Sequence, residues 1–243
     1  IQQGKAVLGI ELGSPRIKAV LIDVDNAPIA QGPQTGENQL ENGSWTYSIK
    51  SIWEGVQDCY ATLRKDVMDQ YGIELENLAA IGVSAMMHGY MAFNKNQEIL
   101  VPFRTWRNTN TGKAAARLSE LFNFNIPLRW SISHLYECII DGESHVKDID
   151  YLATLDAYIH WQLTGERVTG IGDASGMLPI DPDTKDYEEK MVKKFDTLVA
   201  PKGYPWKLRD ILPKVLVAGQ EAGCLTAKGA KLLDPSGHLK AGI

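Results

Sequence analysis

Apolar residues open the chain in short, dense runs. Ala6-Val7-Leu8-Gly9-Ile10 predicts a strand that stops at Glu11-Leu12-Gly13-Ser14-Pro15, and the β-branched pattern resumes over 17–24 up to the turn residues Asp25-Asn26. Two strands around a short glycine-containing loop make a hairpin. Pro28-Ile29-Ala30 restarts an extended segment, and 44–49 offers a further strand. The period then changes. Ser51 reads as a helix N-cap, with Glu54 three residues on completing a capping box. Ile52, Val56, Cys59, Tyr60, Leu63 and Val67 follow at helical spacing until Gly72 ends the run.

Residues 78–84 form a continuous apolar run, the pattern of a strand covered on both faces. The segments 90–93 and 99–102, separated by polar residues, predict another hairpin. Helical patterns occupy 111–122, 134–140 and 154–163, the last closed by Gly165. A strand-like 167–169 leads into the small-residue loop 170–176. Residues 188–198 predict a charged, solvated helix, 216–219 an extended segment, 226–233 a short helix and 239–243 the start of another strand. Opening strands followed by alternating helices and strands argue for an α/β domain with a mixed sheet.

Composition narrows the function classes. The 243 residues are 44% hydrophobic and 23% charged, enough apolar material for a folded core. A net charge of −5, with no basic stripe, argues against nucleic acid as a partner. No run approaches the roughly 20 apolar residues that cross a bilayer, which argues against a membrane partner. The opening Ile1-Gln2-Gln3-Gly4-Lys5 has no signal-peptide pattern. Cys59, Cys138 and Cys224 are odd in number and far apart, as expected for reduced thiols in the cytoplasm. His134, His145, His160 and His238 show no metal-ligand spacing, and no G-x-S-x-G elbow is present.

Four stretches carry candidate chemistry. In Leu8-Gly9-Ile10-Glu11-Leu12-Gly13-Ser14, followed by Lys18, a carboxylate ends a strand and a glycine-hydroxyl turn leads to a cation. Backbone N–H groups of such a turn wrap phosphate oxygens, and the carboxylate holds Mg²⁺ directly or through water. An ordinary hairpin with an exposed Glu fits the same residues. In Gly82-Val83-Ser84-Ala85-Met86-Met87-His88-Gly89, a histidine at a strand's C-terminal end projects towards the cleft where α/β proteins bind ligands. A structural histidine and a core methionine are the plain alternative. Trp106, Arg107 and Asn108 offer a flat apolar face and directional bonds to hydroxyls, or else a polar loop before a helix capped by Asn110 or Thr111. Gly172-Asp173-Ala174-Ser175-Gly176 sets a carboxylate in a loop that approaches a ligand closely, or simply turns.

The order of these stretches is more specific than any one of them. Leu8 to Ser14 with Lys18-Ala-Val-Leu-Ile-Asp23, Ile81 to Gly89, Thr105-Trp-Arg-Asn108 and Thr169 to Gly176 resemble the amino-terminal domain of the FGGY carbohydrate kinases. The likeness is strongest to xylulose-kinase-type members and covers residues 6–243. It implies a ribonuclease-H-like (actin-like ATPase) α/β domain, with a mixed sheet flanked by helices, spanning 1–243. It also implies that the sugar binds mainly on this half, and that a carboxy-terminal half outside this chain holds most of ATP. The function implied is transfer of the γ-phosphate of ATP to a sugar hydroxyl, with Mg²⁺, on a small sugar such as a ketopentose.

Residue by residue, the resemblance assigns Glu11 to metal and Gly13, Ser14 and Lys18 to phosphate. It assigns Met87, His88, Trp106, Arg107, Asn108 and Asp173 to sugar. The catalytic base is expected beyond Ile243, so this chain alone is expected to be inactive. An apolar docking face for the other half is expected too, with a homodimer as one consequence. Glu11 stands where the family carries Asp, and Asn108 where it carries a second Asp. These departures leave a non-catalytic sugar-binding relative as the alternative reading.

Overall fold

The computed structural model describes residues 1–243 except 15, 36–38, 42 and 243. The expectations at Pro15 and Ile243 therefore lie outside the described residues. Strands β1 (Val7–Leu12), β2 (Arg16–Ile22) and β3 (Pro28–Thr35) form an antiparallel meander, with Glu11 opposite Lys18 and Gly9 opposite Val20. Leu8, Ile10 and Leu12 point into the core while Gly9 and Glu11 face out, the two-residue period of a half-buried strand. A hairpin of β4 (Gln39–Glu41) and β5 (Ser44–Thr46) precedes helix α1 (Ile49–Tyr71).

Helix α1 begins a turn earlier than the sequence predicts. Ser48 is the N-cap, extended at φ −69° and ψ 144°, and its Oγ accepts from the Ser51 N–H. Ser51 is the capped residue rather than the capping one. Ile52, Val56, Cys59, Leu63 and Val67 bury against the meander, each large side chain stabilising by roughly 1.5–3 kcal/mol. Strand β6 (Ala80–Ala85) then joins the sheet parallel to β1, giving the order β3-β2-β1-β6. The 78–84 run is not covered on both faces as predicted. Ala80, Gly82 and Ser84 are exposed, and Ile81, Val83 and Ala85 half-buried, because only the latter face packs against the first core.

Strand β7 (Met91–Phe93) pairs with β8 (Tyr151–Ala153), and on its other side the predicted hairpin forms as a looser ladder, with antiparallel bridges Phe93–Ile99 and Tyr90–Arg104 and the Leu100 N–H donating to the Ala92 carbonyl (2.8 Å). Between β7 and β8 lie α2 (Gly112–Phe122) and α3 (Ser131–Ile140). Next come α4 (Leu155–Thr164), β9 (Val168–Gly170), the one-turn helix α5 (Ile171–Ala174), and the short pair β10 (Ile180–Asp181) and β11 (Asp186–Tyr187). Helix α6 (Glu189–Val199) is not simply solvated, because Val192, Phe195 and Val199 enter a second core with α2 and α3. After α7 (Leu208–Ile211), strand β12 (Lys214–Leu216) pairs parallel with β9, and α8 (Ala227–Leu233) packs on α1 and α4. The two cores meet at β7, where Met91 and Phe93 face the first and Tyr90 and Ala92 the second; in the first, Phe93 stacks on Tyr158 at 5.3 Å and meets Trp161 edge-on at 5.3 Å. No described helix is long and apolar enough to cross a membrane.

Candidate active site

The β1–β2 turn is closed by the Gly13 N–H donating to the Arg16 carbonyl (2.9 Å). Two aromatic donors then clamp Ser14. The Trp106 indole N–H donates to its Oγ (2.9 Å), and the Tyr47 hydroxyl donates to its carbonyl. The turn and the 104–108 loop are thus one unit, although they are far apart in sequence. Cross-strand from the turn, Lys18 Nζ stands 3.4 Å from Glu11 Oε2, both side chains about half exposed.

Beyond β6 the Met86 N–H donates to the Leu12 carbonyl (3.0 Å), and the chain then turns sharply. His88 takes φ +73° and Gly89 φ +112°. A left-handed histidine costs on the order of 1–3 kcal/mol and persists only where its surroundings hold it. A Cβ on Gly89 would meet the Phe103 ring at 2.8 Å and the Arg104 carbonyl at 2.9 Å, so glycine is required. The Ser131 Oγ–H donates to the Gly89 carbonyl (2.6 Å), and the Ser131 N–H to the Gly176 carbonyl (3.4 Å). His88 is thereby pressed onto the 172–176 segment. A Cβ on Gly176 would stand 2.5 Å from its Nδ1.

Burial lowers the His88 pKa and nearby Arg129 lowers it further, while contact with the Gly176 backbone opposes both. The imidazole is therefore neutral at physiological pH and both donates and accepts. Met87 and Trp106 are 36% and 40% exposed, large apolar side chains left open to solvent. Arg107 lies over the Trp45 ring at 4.6 Å and the Trp106 ring at 6.0 Å.

Two expected residues are occupied differently from their neighbours. Asn108 is 5% exposed, its Oδ1 accepting from the Trp45 N–H (2.9 Å) and its Nδ2 donating to the Trp45 and Thr105 carbonyls (2.8 and 3.0 Å). It fastens the β4–β5 hairpin to the loop. The Asp173 carboxyl is turned to Asp156 and is pushed up to about 7, by burial first and then by the Asp156 charge and hydrogen bond. The turn follows β1 and the Met87-His88 corner follows β6 at the C-terminal ends of this parallel pair, and the Trp106 hydrogen bond joins the 104–108 loop to the turn. Tyr47, Arg129, Ser131 and Asp156 belong to the same assembly but carry no motif signal. Each acts through a partner distant in sequence.

This is the actin-like ATPase fold, with a polar and aromatic site at the C-terminal ends of β1 and β6. The N-terminal domain family of the FGGY carbohydrate kinases matches residues 6–137, and the chain belongs to that family. Among curated proteins, the xylulose kinase of Lactococcus lactis is 25% identical over 96% of this chain and 46% of that protein. The glycerol kinase of Thermococcus kodakarensis is 21% identical over 79% and 40%. Among solved structures, the xylulose kinase of Rhodospirillum rubrum superposes with a TM-score of 0.77 at 18% identity, over 94% of this chain and 47% of that one. The chain spans about half the length of the curated relatives it matches.

Proposed function

We propose that this chain is the sugar-binding half of an ATP-dependent carbohydrate kinase, and that its acceptor is a small neutral polyol of the ketopentose class, such as xylulose. The observation that carries this reading is the coupling of the two subsites. Trp106, an open apolar face, is hydrogen-bonded to Ser14 of the hairpin turn. A sugar on the Trp106–Met87 face would lie next to a turn suited to phosphate. His88, neutral and with its Nδ1 buried against Gly176, would offer Nε2 to one sugar hydroxyl. Arg107 would supply directional donors, while Asn108 would act by holding the loop. Asp173 would contribute through the segment that supports His88.

Gly13 and Ser14 would present backbone N–H groups to phosphate oxygens, with Lys18 as counter-charge. Glu11 fits a Mg²⁺ ion that keeps most of its water and phosphate ligands, since such an ion needs only one or two carboxylates and Glu11 is exposed. Bound there, Mg²⁺ would neutralise charge on the transferring phosphoryl group. The base that takes the hydroxyl proton is expected outside residues 1–243.

The test is an ATP-consumption screen of the full-length gene product across xylulose, ribulose, xylitol, ribitol, glycerol and gluconate. Sugar binding to the 243-residue chain is measured in parallel. A ketopentose response is expected, with His88→Ala weakening sugar binding by about tenfold, the loss of one good hydrogen bond. Binding without turnover would favour the non-catalytic relative. Neither binding nor turnover in folded protein would overturn the reading.

A further inference from the structure

The bond between Trp106 and Ser14 leaves one donor to spare. An indole N–H only donates, so Ser14 Oγ is the acceptor in that bond (2.9 Å) and keeps its own proton. Among the described residues no acceptor takes that proton. The hydroxyl is thus held from one side and unspent on the other, at the tip of the hairpin turn.

The two partners are also held in place by other bonds. The Tyr47 hydroxyl donates to the Ser14 carbonyl. Two residues earlier, the Trp45 carbonyl accepts from the Thr105 N–H (3.1 Å) and from Asn108 Nδ2 (2.8 Å), and the Trp45 N–H donates to Asn108 Oδ1 (2.9 Å). One short segment therefore fastens both the turn and the 104–108 loop, and the Trp106–Ser14 bond spans the two parts it holds. Removing the Ser14 hydroxyl takes away that bond and leaves this strap in place. Trp106 meanwhile keeps 40% of its surface open, as a platform for a ligand.

Hydrogen bonds in series strengthen one another. A hydroxyl that accepts from an N–H is a better donor, and one that donates to an anion is a better acceptor. We propose that the Trp106 N–H, the Ser14 O–H and an oxygen of a bound phosphate form one donor chain, so that the sugar and phosphate subsites are positively linked within this half of the enzyme. Phosphate taken by the Ser14 hydroxyl would tighten its hold on the indole and fix the ring for a sugar. By reciprocity, a sugar seated on the ring would raise phosphate affinity by the same factor. Ser14 is then a positioning residue for Trp106 as well as a phosphate ligand. The inference rests on the sugar-binding reading above and adds to it a communication between the two ligands that needs no movement of the other half.

The probes are inorganic phosphate and xylulose, added to the 243-residue chain at constant ionic strength. The first readout needs no sugar. The Trp106 indole N–H resonance, identified by its loss in Trp106→Phe, is expected to shift on phosphate addition in the unsubstituted chain, and the remaining indole resonances of Ser14→Ala are expected to show no such response at Trp106. The second readout is calorimetric. Saturating phosphate is expected to tighten xylulose binding by about three- to tenfold, the range of one hydrogen bond. Ser14→Ala should bring that ratio to unity, and Ser14→Thr, which keeps the hydroxyl, should restore it. A purely structural role would weaken both ligands and leave the ratio as it was. A Trp106 resonance unmoved by phosphate, or a ratio that survives Ser14→Ala, would overturn the linkage. Xylulose binding that is indifferent to phosphate in the unsubstituted chain would overturn the linkage and leave the sugar reading standing. A resonance that answers to phosphate in a folded chain that binds no sugar would overturn the sugar reading and the linkage with it.

Discussion

At the scale of single residues, the site depends on contacts that leave little room. Gly176 has ordinary backbone angles, so an alanine there is tolerated by the backbone, but its Cβ would stand 2.5 Å from His88 Nδ1. Gly176→Ala is expected to displace the imidazole and weaken sugar binding by about tenfold, with a small change in stability, read by calorimetry and by urea unfolding. Asp173 sets a pH dependence of opposite sign to that of most carboxylates. Its carboxyl is held near 7 in the folded chain against about 3.9 unfolded, so the folded state binds the proton more tightly. That contribution is complete below the unfolded value and is lost as pH rises from about 4 through about 7. With divalent ions chelated, Asp173→Asn is expected to flatten this slope and to gain about 1–2 kcal/mol at about pH 8, a figure discounted for the group's partial exposure. Unfolding midpoints across pH measure it.

Elements are set by their ends as much as by their apolar stripes. Helix α1 shows how closely competing signals sit. Both Ser48 and Ser51 precede the periodic run, and Ser51 has Glu54 at capping-box spacing, yet Ser48 caps. The Tyr47 hydroxyl is anchored to the Ser14 carbonyl, which holds the chain extended up to Ser48 and leaves Ser51 inside the first turn. Ser48→Ala should cost about 1 kcal/mol. Ser51→Ala should cost only a few tenths, since its own N–H remains capped. Denaturant titration of the two variants distinguishes the cap from its partner. Helix α6 makes the complementary point. Its charges dominate the sequence, but one face carries Val192, Phe195 and Val199 into the second core.

Across the whole molecule the two cores are joined through few side chains. The β7 segment is one such join, sending Met91 and Phe93 into the first core and Tyr90 and Ala92 into the second. Within the first, Phe93 lies between Tyr158 and Trp161 of α4, and the Trp53 indole on α1 donates to the Tyr158 hydroxyl (3.0 Å). Phe93→Ala is expected to cost about 3–5 kcal/mol, read by calorimetry. The sheet's far edge behaves differently. β6 keeps its outer side unpaired among the described residues, and a cavity lined by Val83 and Asp156 lies against it. The His88 corner is therefore carried on a strand supported from one side, by β1.

By itself the sequence determined the local and the ordered. The meander, α1, β6 and the helices at 111–122, 154–163 and 226–233 are legible as short apolar runs bounded by turn residues or as helical spacing, because these patterns are local. The succession of Glu11-Leu12-Gly13-Ser14, Met87-His88-Gly89 and Trp106-Arg107-Asn108 was enough to indicate the family. Tertiary structure decided which of these groups stay free. Asn108 carries the same amide wherever it lies, and only its burial against Trp45 shows its bonds to be spent. β7 keeps the hairpin with the 99–102 segment that local sequence offers, but its regular ladder is with β8, far along the chain, a pairing that only the fold brings together. Asp156 and Asp173 lie on different elements, α4 and α5. Their mutual repulsion depends on distance and desolvation, and neither quantity is written in one dimension.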